Sequence, residues 1–272
     1  MPEPVEHLPT EERRARIREL VEERSFMRVV DLSETFGVST VTVRTDLEAL
    51  EHGGVVRRIR GGAMPAEGLR ERPFEEVQVD AAPQKRAIAR LAVDQLTSGM
   101  SVLLDVGTTT AAIAAELVRR TDLVDITVIT NGLSIALSLE PALPRLQVIV
   151  TGGTLRPLQH SLVPPLADTV LSRIRADLAF IGCNGVDVEA GITNINLPEA
   201  ELKRAMIAAA SRVVVTADSS KIGRVHLGRV AEIGRIDTLV TDSDHNRPAL
   251  DALQADTDLE VLVATSAETR PT

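Results

Sequence analysis

Apolar residues recur along this chain with two different rhythms. In EERRARIRELVEER (residues 11–24), Ile17, Leu20 and Val21 fall at i, i+3 and i+4 between charged positions, the stripe of an amphipathic helix. A short second helix fits residues 31–36, with Asp31 as its N-cap and Gly37 as the turn that stops it. In VSTVTVRTDLEALEHGG, Ser39 is the expected N-cap, and Val43, Leu47 and Leu50 recur at i, i+4 and i+7 until Gly53 and Gly54 end the helix. Two helices joined by a glycine-containing turn outline a helix-turn-helix. The following VVRRIRGGA supplies two short extended pieces that can pair as a β-hairpin wing.

Residues 65–83 contain Pro65, Pro73 and Pro83, several charges and few periodic apolar positions, the composition of a linker. From residue 84 the rhythm changes. SVLLD (101–105), ITVIT (126–130), LQVIVT (146–151), DLAFIG (177–182), RVVVTA (212–217), DTLVT (237–241) and LEVLV (259–263) are separated mostly by helix-compatible stretches. Near-continuous Val, Ile and Leu runs suit strands covered on both faces, and their alternation with helices suits a mostly parallel sheet. The expected fold class is therefore α/β. A small N-terminal winged helix-turn-helix domain (9–64) and a linker (65–83) precede an open, mostly parallel α/β domain (84–265). No internal repeat or low-complexity tract interrupts this plan.

Composition narrows the functional classes. The chain has 272 residues, 44% hydrophobic and 25% charged, and no apolar run approaches the roughly 20 residues of a bilayer span. The opening MPEPVEHLPTEERRARI lacks the apolar stretch of a secretion signal, so a cytoplasmic protein without a membrane partner is expected. Cys183 stands alone, which excludes an intramolecular disulfide and a cysteine-built zinc site. His7, His52, His160, His226 and His245 show no i, i+4 pairing, so neither a metal nor a cofactor is expected. A net charge of −9 argues against a general polyanion-binding surface, yet residues 52–66 carry Arg57, Arg58 and Arg60 with no acid among them.

With Val43, Leu47 and Leu50 turned inward, helical geometry of about 100° per residue points Val41, Thr42, Arg44 and Thr45 outward near the helix start. That end of a recognition helix enters the major groove. Arg44 can bond a guanine edge or a phosphate, Thr42 and Thr45 can reach either, and Val41 can touch a thymine methyl. Arg57, Arg58 and Arg60 suit backbone phosphates, which supply affinity without reading sequence. A solvated face of a small helical domain would carry the same threonines; the arginine-bearing wing beside it favours double-stranded DNA.

In open α/β sheets, ligands bind outside the carboxyl ends of the strands. There this sequence is polar or small. In DVGTTT, Gly107 allows close backbone approach, Thr108 can cap the next helix, and the hydroxyls of Thr108, Thr109 and Thr110 add donors, so the turn suits an anion such as phosphate. An ordinary threonine-capped turn reads the same way. Gly152 and Gly153 at a second strand end, and Lys221 in ADSSK, favour the ligand. GxxxxGK[ST] is absent and no GxGxxG follows a strand, so a nucleotide is not expected and the ligand should be smaller. Asp105, Asn131, Asn184 and Asp218 suit sugar hydroxyls, and equally suit turns and caps. Glu199, Glu201 and Lys203 open a helix after Pro198, where Glu199 and Lys203 form an i, i+4 pair. A solvated helix start and a pocket rim formed by Lys203 or Glu201 both fit.

Taken together, VSTVTVRTDLEAL with RGGA, then DVGTTT, VITNGLSIA, VTGGTL, FIGCNGVD, GIT, KRAMI and ADSSKIG, in that order and spacing from about Arg13 to Asp242, resemble the DeoR family of bacterial transcriptional regulators. The resemblance implies a winged helix-turn-helix joined to a sensor domain similar to ribose-phosphate isomerase and CoA-transferase folds. It implies a homo-oligomer, dimer or larger, that reads operator DNA, represses a carbohydrate operon and answers to a phosphorylated sugar. Carried over by motif, Ser39, Thr40, Thr42, Arg44 and Thr45 read DNA. Asp105, Gly107 to Thr110, Asn131, Gly152, Gly153, Asn184, Lys203, Asp218 and Lys221 hold the effector. Members commonly carry arginine at Thr45, histidine at Arg60 and a glycine near Pro164. These departures bear on base preference, on phosphate contact and on the pocket lid. The rival reading is a sugar-phosphate isomerase-like enzyme with an N-terminal appendage, in which Asp105, Asp218, Glu201 and Lys203 supply a base and an electrophile. A third is a protein-docking adaptor.

Overall fold

The structure, a computed structural model, describes residues 8–24, 26–53, 55–59, 61–65, 71–242 and 246–265. The chain forms two compact units, Met1–Glu71 and Arg72–Thr272.

The first unit contains α1 (Thr10–Arg24), β1 (Met27–Arg28), α2 (Val29–Phe36), α3 (Thr40–His52), β2 (Val56–Ile59) and β3 (Gly62–Pro65). The apolar stripes foreseen from sequence, Ile17 and Val21 of α1 and Val43 and Leu47 of α3, meet Leu32 and Phe36 of α2 in one core. Gly37 adopts φ 62°, where an L side chain would be strained, and its amide closes α2 on the carbonyl of Ser33. Ser39 caps α3 by accepting the Thr42 amide at 3.1 Å. Asp46, buried on α3, accepts Arg13 Nε at 2.6 Å and Arg14 Nε at 3.0 Å, which clamps α1 to the inner side of α3. β2 and β3 pair antiparallel as the wing, with Arg58 opposite Ala63.

Two details differ from expectation. β1 adds a third strand to the wing, Met27 opposite Ala63. The chain therefore leaves the sheet at Arg28 and enters α2 at once, so α2 starts at Val29 and Asp31 lies within its first turn instead of capping it.

The second unit runs α4 (Phe74–Val79), α5 (Ala82–Val93), β4 (Ser101–Leu104), α6 (Thr108–Arg119), β5 (Ile126–Thr130), α7 (Leu133–Ser138), β6 (Leu146–Val150), β7 (Thr154–Arg156), β8 (Ser161–Val163) and α8 (Leu166–Leu171). It continues with β9 (Ala176–Gly182), β10 (Gly185–Asp187), β11 (Gly191–Asn194), α9 (Leu197–Ala208), β12 (Ala210–Thr216), β13 (Gly228–Ala231), β14 (Thr238–Asp242), α10 (Arg247–Asp256) and β15 (Glu260–Ala264). All seven apolar runs read from sequence become strands of one sheet, in the order β15-β14-β12-β9-β4-β5-β6. Every neighbouring pair in it is parallel.

Alternation along the strands feeds two cores. Val102, Leu104, Leu178 and Phe180 pack with α5, α6 and α7, while Leu103, Ala179 and Ile181 face the other way, into the core that α9 and α10 complete. From β4 the chain winds outward to β6; from β9 it winds outward to β15. The strand order thus reverses between β4 and β9, the topological switch point where such sheets leave a crevice.

The hairpin β7-β8 and the antiparallel trio β10-β11-β13 were not expected. Their strands are only three or four residues long, too short for an apolar rhythm to show. Within the span read as linker, residues 74–79 form α4, and Phe74 is buried with its ring centroid 5.8 Å from that of His160.

Candidate functional site

In the first unit the outer side of α3 presents Val41, Arg44 and Thr45, while Thr40 and Thr42 are partly covered. Cap chemistry divides them further. The Thr42 hydroxyl lies 2.9 Å from Ser39 Oγ, and Thr45 Oγ1 donates to the Val41 carbonyl at 3.1 Å. Arg44 makes no side-chain hydrogen bond or ion pair among the described residues, and Val41 is 68% exposed. These two side chains stand exposed and uncommitted on the outer side of α3.

The wing arginines are not equivalent. Arg57 is exposed and makes no ion pair among the described residues. Arg58 reaches back to α3, with Nη2 at 3.1 Å from Glu48 Oε1 and Nε at 2.8 Å from Glu51 Oε2. The backbone amide of Arg58, and then its guanidinium, hold the Glu51 carboxyl below its usual range. Arg60 lies outside the described residues.

In the second unit, residues from six segments gather at the carboxyl edge of the sheet. Asp105, just past β4, is fully buried; its Oδ2 accepts the Gly182 amide at 3.0 Å and pairs with Lys203 of α9. One turn earlier on α9, Glu199 accepts the Ser161 hydroxyl at 2.7 Å and pairs with Arg156. The i, i+4 pair of Glu199 with Lys203 is therefore not formed, because both side chains face inward toward partners on other elements. Lys203 is 3% exposed and so lies within the floor, not on a rim. Glu201 lies on the outer surface with Arg204, at 2.6 Å. Burial alone would lower the Lys203 pKa, but the Asp105 and Glu199 carboxylates overcome it and hold the ammonium charged.

Gly107, at φ 142°, is the N-cap of α6. Thr108 is thus the first helical residue and does not cap; the conformation the chain needs after Val106 is one that favours glycine. Thr110 Oγ1 donates back to the Gly107 carbonyl at 2.9 Å. The first-turn amides of α6 have no acceptor within the helix, and its dipole favours an anion there. Thr109 and Thr110 are buried, and Thr108 is partly open. Past β5, Asn131 Nδ2 donates to the Leu162 carbonyl at 3.4 Å. Gly153, after β6, sits so close to β8 that a Cβ would lie 2.4 Å from the Val163 carbonyl oxygen. Gly152 at φ 72° completes that turn.

Two predicted residues also carry structural duties. Asn184 Oδ1 accepts the Ile195 amide at 2.9 Å, and Asp218 caps the turn at Ser219–Lys221 through the Ser220 amide at 3.2 Å. Lys221 makes no side-chain hydrogen bond or ion pair among the described residues. Four buried polar atoms near the strand ends have no partner among the described residues: Asp105 Oδ1, Asn131 Oδ1, Thr216 Oγ1 and His226 Nδ1.

Sequence reasoning missed Lys85, Arg156, Arg224 and His226. His226 Nε2 lies 3.2 Å from the Asn184 carbonyl, which can only accept, so Nε2 carries the proton and Nδ1 is a bare acceptor. Burial, reinforced by Lys221 and Arg224, lowers its pKa to about 4. Burial also lowers the pKa of Arg224, and it pushes the Cys183 thiol up to about 12, which makes that cysteine unreactive. Lys85, on α5, donates to the Val77 carbonyl of α4 at 2.7 Å. A signal for it existed: Lys85 occupies the stripe of Ile88, Ala89, Ala92 and Val93, where an apolar residue belongs.

A winged helix-turn-helix with a free arginine on its recognition helix, followed by a separate parallel α/β unit with a polar crevice, constitutes a DNA-binding regulator with a ligand-sensing domain. The chain belongs to the DeoR family: the DeoR-like helix-turn-helix domain matches residues 13–67 and the DeoR C-terminal sensor domain matches residues 80–243. It is 38% identical over 85% of its length to the HTH-type transcriptional regulator GlpR of Haloferax volcanii, covering 89% of that protein. It is 34% identical over 90% of its length to a putative aga operon transcriptional repressor of Escherichia coli O157:H7, covering 91% of it. Among solved structures, ribose 5-phosphate isomerase A of Methanocaldococcus jannaschii aligns with 50% of this chain and 52% of its own, at 20% identity and a TM-score of 0.36. No helix among the described residues is long and apolar enough to cross a membrane.

Proposed function

We propose that this regulator represses a carbohydrate-metabolism operon and that a phosphorylated sugar, bound at the strand ends of the second unit, sets its operator affinity. One juxtaposition carries the reading. Orphaned buried acceptors on Asp105 and Asn131 call for hydroxyl donors, and Lys221, a cation without a partner among the described residues, calls for an anion. Asp105 and Lys221 both lie within electrostatic reach of Cys183, which supports assigning them to one site. Hydroxyls with an anion are the chemistry of a sugar phosphate.

Arg44 and Val41 read bases, Arg57 binds backbone phosphate, and the working unit is a symmetric dimer or larger, because palindromic operators match two-fold proteins. The isomerase alternative is disfavoured by the same geometry. Asp105 and Lys203 neutralise each other, so neither serves as a free base or electrophile, and an enzyme has no use for the groove-facing arginine.

The test is operator binding by fluorescence anisotropy on the protein's own upstream DNA, with a panel of phosphorylated sugars. One of them should shift affinity about 5- to 150-fold, a coupling of about 1–3 kcal/mol. Lys221→Ala should bind the operator normally and lose that response. A normal response from Lys221→Ala would refute the pocket assignment, and turnover of the panel by the full chain would favour the enzyme.

A further inference from the structure

We propose that the hairpin β7-β8 is the coupling element of this regulator: its stem borders the crevice, its tip grips α4, and Phe74, Gln159 and His160 carry the state of the crevice to the segment that leads to the DNA-binding unit. The inference rests on the effector reading above and supplies the route that reading leaves open.

α4 depends on that grip. Its six residues are too few to sustain a helix by their own hydrogen bonds, and Phe74 is the one side chain it buries. The hairpin tip holds its start. Gln159 Nε2 donates to the Arg72 carbonyl at 2.8 Å, His160 Nε2 lies 3.3 Å from Glu75 Oε1, and the Phe74 ring lies against that of His160. At the far end of α4, Lys85 of α5 donates to the Val77 carbonyl at 2.7 Å. Arg72 is the first residue of the second unit, so whatever holds Arg72 and Phe74 sets where the chain leaves that unit.

The stem of the same hairpin meets the crevice. Directly after His160, Ser161 donates to Glu199 of α9 at 2.7 Å, and Arg156 of β7 pairs with that carboxylate. The Leu162 amide donates to the Asn131 carbonyl at 2.8 Å. The hairpin departs from β6 through Gly152 and Gly153, at φ 72° and 135°, where backbone direction is set by residues without a side chain.

A ligand moves an equilibrium only by contacting its two states differently, and Asn131 supplies such a contact. Its Nδ2 holds the Leu162 carbonyl at 3.4 Å, beyond the usual range of about 2.7–3.2 Å, while its Oδ1 is buried without a partner among the described residues. A guest hydroxyl that donates to Oδ1 draws the amide toward itself and competes with the bond to Leu162. Gln159, His160, Ser161 and Leu162 are consecutive. A shift of β8 at Leu162 therefore reaches the grip on α4 within one turn of chain.

The experiment measures operator binding by the full-length protein through fluorescence anisotropy, with and without glucose 6-phosphate, fructose 6-phosphate, fructose 1-phosphate and ribose 5-phosphate. Sugar binding is read separately by thermal shift. The double variant Phe74→Leu/Gln159→Ala should bind free operator and the active sugar within about threefold of wild type, yet its sugar-induced change in operator affinity should fall to about twofold or less, against about 5- to 150-fold in wild type. Hydrogen exchange at the α4 amides should respond to the sugar in wild type and not in the variant. Should the double variant melt early, the two single variants decide by the same comparison. A variant that keeps the wild-type change overturns the coupling role, and so does one that loses its affinity for the sugar, since the residues would then belong to the site itself. A wild type that answers to none of the sugars sinks the effector reading and the coupling with it; a wild type and variants that answer equally sink the coupling alone.

Discussion

Lys203 on α9 and Asp105 beyond β4, 98 positions apart in the chain, form a buried ion pair beside the reversal of strand order. The pair locks α9 onto the strand ends and makes the crevice floor electrically neutral. Lys203→Met alone strands a buried carboxylate and should cost about 3–5 kcal/mol in urea unfolding. Adding Asp105→Leu removes the stranded charge and should recover most of that loss. A single variant as stable as wild type would show that the pair has no structural role.

His226 gives the second unit a pH dependence of known sign. The folded ring takes its proton at about 4 and the unfolded ring near 6.5, so stability is retained above the higher value and lost as pH falls toward the lower one. Between about pH 7.5 and 5 this group should remove about 2 kcal/mol. The groups facing the ring are Lys221, Arg224 and the Asn184 carbonyl. In His226→Gln, the drop in urea-unfolding free energy between the two pH values should shrink by that increment; an unchanged drop would show that the ring is not held neutral.

Arg44→Ala should reduce binding to the specific operator by about 1–3 kcal/mol and leave binding to unrelated duplex nearly unchanged. Anisotropy titrations against both duplexes separate the outcomes. An equal loss on each would reassign Arg44 to the phosphate backbone.

Arg57 and Arg58 should differ. Replacing Arg57 with alanine should lower the salt dependence of operator binding by about one unit of log-log slope. Arg58→Ala should change it less, because Glu48 and Glu51 already balance that charge. Equal slopes for the two variants would mean that DNA draws Arg58 away from α3.

Much of the fold was legible because its signals are local. Each parallel strand is a near-continuous apolar run, and α3 announces itself through Ser39, its stripe and its glycines. The crevice was legible only in part. DVGTTT and ADSSK stand out as polar turns after apolar strands, whereas the pairing of Lys203 with Asp105 instead of Glu199 depends on which side of α9 faces the sheet. Lys85 and Lys203 share one overlooked mark, a lysine in a helical stripe reserved for the core; Lys203 stands among Ala200, Met206 and Ile207. Arg224 and His226 follow no periodicity and are placed by the short β10-β11-β13 sheet, itself invisible to pattern.

The reversal of strand order between β4 and β9 parts the labour of this unit between two sets of residues. Side chains inside the strands feed the two hydrophobic cores, and those just past the ends form the proposed effector site. If that site takes the effector, exchanges at such positions retune which metabolite the chain answers to and leave both hydrophobic layers in place. A lineage could inherit the scaffold whole and diversify its diet of signals one loop at a time.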